Sequence, residues 1–209
     1  MNTVIPEKAA LLKRLEKGGF NVPEFIYVSA ADFKNENFGA LEAFLDKHRE
    51  SFKVIARSAH LREEFFKGGT FDSLEIYADL GGIKYARKKI INLAKTAKQL
   101  AIRRQQKFSN APDIDLENMG MIVMPFISGT SVMAKLLGNH WEFGYCRDRS
   151  HKIQREPYIT RTPHDISLLT LSENIQQYLG CLLYTSDAAD ECVNVYISVV
   201  AVSLKKKIF

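Results

Sequence analysis

The chain has 209 residues, 46% hydrophobic and 25% charged, with a formal net charge of +5. That is the balance of an ordinary globular protein with enough apolar material for a core, and the length suits one domain or one domain built from two lobes. No apolar run approaches the roughly 20 residues that a bilayer-spanning helix needs, and residues 1–14 lack the apolar stretch and cleavage site of a secretory signal, so a cytoplasmic protein is expected.

Pro6 suits the first turn of a helix, and Ala9, Leu11, Leu12 and Leu15 give that helix an apolar stripe until Gly18-Gly19 stops it. Val22-Pro23 leads into a short strand over 25–28, and Ser29 then caps a helical turn that ends near Phe33. A second helix is predicted over 38–49, with Leu41, Phe44 and Leu45 on one face, and residues 53–57 read as a buried strand. A charged, Gly-containing loop covers 58–70 and precedes a strand over 71–77. Gly81-Gly82 introduces a long basic helix that ends before Asn110-Ala111-Pro112.

Residues 121–127 form a second buried strand, and 131–137, 141–146 and 152–160 look like an antiparallel meander with Gly138-Asn139 at one turn. A last helix is predicted over 165–178, after Thr162-Pro163. Helices and strands alternate first and a meander follows, which favours an α+β, two-lobed domain over a doubly wound parallel sheet.

Familiar site chemistry is missing from the sequence. There is no G-x-x-x-x-G-K-[ST] loop and no G-x-G-x-x-G after a strand, which argues against P-loop and dinucleotide folds. Histidines at 48, 60, 140, 151 and 164 show no metal-ligand spacing, and the cysteines (Cys146, Cys181, Cys192) suggest neither a disulfide framework nor a zinc site. Nine Lys or Arg residues fall between Lys84 and Lys107 without an acid among them. Such a stretch could meet phosphates. Interleaved Ile90, Ile91, Ala94, Ala97 and Ala101 instead favour a solvated helix face, and apart from Tyr85 the stretch lacks the stacking aromatics that single-strand binders interleave with cations. Nucleic acid is therefore the least favoured partner.

A distributed set of segments carries a resemblance. Lys8-Ala9-Ala10-Leu11-Leu12, Gly19-Phe20-Asn21-Val22-Pro23 and Val28-Ser29-Ala30-Ala31-Asp32-Phe33 follow in order. Then come Val54-Ile55-Ala56-Arg57-Ser58-Ala59, the acidic pair Glu63-Glu64, and Gly69-Thr70-Phe71-Asp72-Ser73. Together they resemble the opening of the pyruvate/phosphoenolpyruvate-binding ATP-grasp family, which includes phosphoenolpyruvate synthase and pyruvate phosphate dikinase. The likeness covers about residues 6–127 and weakens afterwards.

The resemblance implies a two-lobed ATP-grasp-like domain, incomplete at its C-terminal end, in which Lys8 and Arg57 contact ATP phosphates. Cations at a helix start and a strand end are what a triphosphate requires. An exposed first-turn lysine and an Arg57 salt bridge with Glu63 or Glu64 are the plain alternatives. Gly68-Gly69 could close over phosphates through backbone N–H groups, or form a simple hairpin turn. Residues 121–127 resemble the strand leading to the hinge over the adenine, with Met124, Phe126 and Ile127 in the hinge region. The implied cofactors are ATP and Mg, with the metal ligands expected beyond residue 180. The implied reaction phosphorylates a carrier histidine and then pyruvate or a similar small acceptor through further domains. Departures are plain: Pro6-Glu7 replaces the family's Gly-Gly, Ala59 its second Ser, and Met124-Pro125 the Gln before the hinge. They favour, as an alternative, a binding or regulatory protein that kept the fold without phosphotransfer.

From Cys181 the chain reads CLLYTSDAADE, which resembles a translated transposase sequencing adapter, and VVAVSLKKK from Val199 resembles the outer end of the same adapter. Two such matches in the correct order divide the chain into residues 1–180, the front of a nucleotide-binding domain, and a non-native tail, 181–209. That tail holds three acids and three lysines, so the net charge without it stays +5. The β-branched run over 193–204 is also the composition of a strand.

Overall fold

A computed structural model describes residues 5–61, 73–103, 115–127, 131–137, 139–146, 158–163, 165–179 and 197–199. The fold is α+β, and the chain divides into two compact units: Met1–Glu16 with Pro23–Phe126, and Lys17–Val22 with Ile127–Phe209.

The first unit begins with helix α1 (Glu7–Lys17), which buries Ala9 and Leu12 and ends where Gly19 takes a φ of 79°. Strand β1 (Ile26–Val28) runs into helix α2 (Ala30–Asn35). The cap predicted from Ser29 forms, and Asp32 completes it as a capping box: the Ser29 hydroxyl accepts from the Asp32 N–H at 3.1 Å, and the Asp32 carboxylate accepts from the Ser29 N–H at 2.9 Å. Helix α3 (Gly39–Lys47) buries Leu41, Phe44 and Leu45. Strands β2 (Lys53–Ala59) and β3 (Ser73–Tyr77) follow, then the long helix α4 (Leu80–Arg103) and strand β4 (Gly120–Pro125). Helix α4 starts before its glycines, and the Asp79 carboxylate accepts from the Gly82 N–H at 2.6 Å.

The sheet order is β1-β4-β2-β3, antiparallel throughout. Strand β4, the last of the four in sequence, is inserted between β1 and β2. One face carries Val28, Val54, Ala56, Met121 and Val123 into a core with α3 and with Ile83, Ala86, Ile90, Ile91 and Ala94 of α4. Period 2 in β2 and period 3.6 in α4 thus aim at one interior. Ile122 and Met124 are buried as well, so β4 is covered on both faces.

The second unit holds strands β5 (Ser131–Leu137), β6 (His140–Cys146) and β7 (Tyr158–Thr160), helix α5 (Ile166–Leu179) and strand β8 (Ile197–Val199). Its antiparallel order is β7-β6-β5-β8, the predicted meander with one strand added. The β5–β6 register pairs Leu137 with His140 at the end of the ladder, which agrees with a tight hairpin between the two strands. Trp141 and Phe143 are buried with stacked rings, their centroids 6.3 Å apart. Strand β8 pairs Ile197 to Val199 with Ala134 to Val132 of β5, inside the stretch that resembles adapter. In the same unit the Phe20 and Tyr178 ring centroids lie 5.5 Å apart.

Candidate functional site

The two cations singled out in the sequence both lie in the first unit. Lys8 is the second residue of α1 and is half-buried. Its ammonium donates to the Ser58 hydroxyl at 3.3 Å, across 50 residues of sequence. Arg57 is half-buried in β2, level with Ser73 of β3 on one side and Ile122 of β4 on the other. Alternation along β2 directs Val54, Ala56 and Ser58 to one face and Lys53, Ile55 and Arg57 to the other. Lys8 is therefore brought to the residue that follows Arg57 near the C-terminal end of the same strand, on the opposite face from the Arg57 side chain.

The hinge residues sit toward the opposite end of that strand pair. Met124 stands level with Ile55 and is 1% exposed, so its side chain fills the interior. Phe126 remains half-buried; its N–H donates to the Lys53 carbonyl at 3.1 Å, and its ring centre lies 5.9 Å from the Lys53 ammonium. Ile127, also half-buried, belongs to the second unit. Lys53 and Arg57 are four residue steps apart along β2, about 13 Å at the usual rise per residue. Arg57 thus lies toward one end of the β2–β4 pair and Phe126 toward the other. Gly68, Gly69, Glu63 and Glu64 lie outside the described residues.

Carboxylates in this unit serve structural partners. Glu24 pairs with Lys47 at 2.7 Å, Lys95 with Glu117 at 2.8 Å, and Lys53 with Glu75. The Asp32 carboxyl is held below its ordinary value, chiefly by the Ser29 hydroxyl donating to it at 2.6 Å. Burial pushes the Tyr27 phenol up, with the Asp32 charge adding to it. Among the described residues no group of three or more His, Cys, Asp or Glu side chains converges as a metal site.

Helix α4 divides its cations between solvent and structure. Lys88 and Lys89 are exposed, whereas Arg87 is half-buried and donates from Nε to the Met119 carbonyl at 2.8 Å and from Nη2 to the Glu117 carbonyl. Its guanidinium lies 4.9 Å from the Phe33 ring centre, and burial lowers its pKa against the opposing pull of Glu117. Lys84 and Lys95 pair with Glu36 and Glu117. Three of the helix's cations therefore serve contacts within the unit, which leaves fewer for a polyanion.

Sequence reasoning gave Ser58 no role and treated Arg87 only as one charge in a run. A single hydroxyl in the apolar stretch 54–59 was the available signal for the first; nothing local marked the second. Comparison of the chain with family models, with curated proteins and with solved structures finds no match. Among the described residues no helix is long and apolar enough to cross a membrane.

Proposed function

We propose that the first unit is the phosphate-binding part of an ATP-grasp-like nucleotide site. The complete protein would be a phosphotransferase similar to phosphoenolpyruvate synthase, using ATP and Mg to phosphorylate a carrier histidine and then pyruvate or a related acceptor. The observation that carries this reading is the Lys8–Ser58 contact, which brings a cation from the first helix to the strand end that bears Arg57. A polyphosphate lying across that strand end would meet Arg57 from one face of β2 and Lys8 from the other, and phosphoryl transfer depends mainly on such positioning and charge neutralisation.

A second reading, an ATP-binding regulatory protein without phosphotransfer, is favoured by Pro6-Glu7 ahead of Lys8, where the resembled family has Gly-Gly.

Titration of ATP into the chain, followed by NMR, tests the site. The chain binds ATP weakly and forms no product, because the cations are present without a metal shell. Each charge-assisted contact is worth roughly 1.5–3 kcal/mol, so Lys8→Met or Arg57→Gln weakens binding about 10- to 100-fold. Lys8→Met also takes a donor from the buried Ser58 hydroxyl, so it lowers the melting temperature modestly even without nucleotide. Unperturbed spectra of the unsubstituted chain with ATP, or equal affinity in both variants, would refute the assignment. An Arg57→Gln chain that melts early but binds ATP normally would show a structural ion pair instead.

A further inference from the structure

We infer that Ser58 is a positioning residue for the nucleotide site and acts by holding the Lys8 ammonium in place. This rests on the nucleotide reading above. Ser58 is 1% exposed, so its hydroxyl is out of reach of a ligand arriving from solvent. It lies on the side of β2 that turns Val54 and Ala56 into the apolar core, where an unbonded hydroxyl is costly to bury. That hydroxyl accepts from Lys8. Lysine is a flexible point charge on a four-carbon stem, and most of the cost of using it as a ligand is the rotamer freedom lost when it is fixed. A hydroxyl on a central strand, flanked by β4 through the Ser58–Met121 pairing, removes part of that freedom before the anion arrives. The contact takes one of the three ammonium donors. Burial decides between the two possible roles of Ser58: it works through Lys8 and does not touch the phosphate.

The experiment measures two quantities in the unsubstituted chain, Ser58→Ala and Ser58→Thr. One is ATP affinity. The other is the acylation rate of the Lys8 amine relative to Lys13 on the same helix, read by peptide mass spectrometry without nucleotide. Ser58→Ala raises the Lys8:Lys13 ratio several-fold and weakens ATP binding about 3- to 10-fold, the loss of one modest hydrogen bond. Ser58→Thr, which keeps the hydroxyl, restores both. A purely structural Ser58 would lower the melting temperature in Ser58→Ala and leave the labelling ratio unchanged, which overturns the inference. So does a Ser58→Ala chain that binds ATP normally. If Ser58→Ala does not fold, Ser58→Cys, similar in size and a weak acceptor, replaces it. An unsubstituted chain that binds no ATP defeats the nucleotide reading and this inference with it; binding that is unaffected by Ser58→Ala defeats this inference alone.

Discussion

Replacing Arg87 by Met removes a guanidinium that joins α4 to the turn before β4. Two hydrogen bonds disappear, from Nε to the Met119 carbonyl and from Nη2 to the Glu117 carbonyl, together with the stacking on Phe33. A hydrogen bond from a charged donor contributes roughly 1.5–3 kcal/mol, and a partly exposed cation–π contact about 0.5–1 kcal/mol. Arg87 is only half-buried, so water recovers part of the loss and the terms do not add in full. The expected cost is about 2–4 kcal/mol, or a melting point lower by roughly 5–15 °C for a chain of this size. Arg87→Lys keeps the charge but loses the planar fork and falls between. Lys88→Gln, on the exposed side of the same helix, changes stability by about 0.5 kcal/mol or less. Circular dichroism melts give the ranking, and amide hydrogen exchange over 116–123 localises it. Equal melting points for Arg87→Met and Lys88→Gln would refute the division of α4 into structural and solvated cations.

Gly120→Ala places a Cβ 2.8 Å from both the Tyr27 ring and the Val28 carbonyl, and costs about 1–3 kcal/mol in urea unfolding. Gly39→Ala, with nothing within 4 Å, should be neutral or slightly stabilising, and matching losses in the two would count against the packing described. Ser29→Ala removes a helix cap worth about 1 kcal/mol at neutral pH. Because the folded Asp32 pKa is depressed below 3.8, the stability linked to it is present above that value and is lost as pH falls through the folded value. The Ser29→Ala deficit should therefore narrow below about pH 4, and a pH-independent deficit would be the contrary result. Re-amplifying the gene without transposase adapters should give a different sequence after Gly180, and recovering the same codons for 182–191 would show that the tail is genuine.

Local chemistry in the sequence determined much of the fold. The Ser29 cap, the Gly18-Gly19 stop, the apolar stripe of α3 and the tight hairpin between β5 and β6 each act within a few residues, through backbone donors, φ preference or side-chain period. Lys8 and Arg57 stood out for the same reason, as cations at the ends of legible elements. What the sequence left open was decided by contacts between distant segments. Strand β4 pairs with β1 across more than 90 residues, Val28 opposite Met121, and this insertion seats Ile122 between Tyr27 and Arg57. Strand periodicity says which face of β4 is apolar and nothing about its neighbours; here both faces are buried. Arg87 looked like its lysine neighbours because its partners are backbone carbonyls about 30 residues away, which any sequence could supply. Lys8 met Ser58 across 50 residues for the same physical reason: a hydrogen bond needs only two groups at the right distance, and the tertiary structure alone sets that distance.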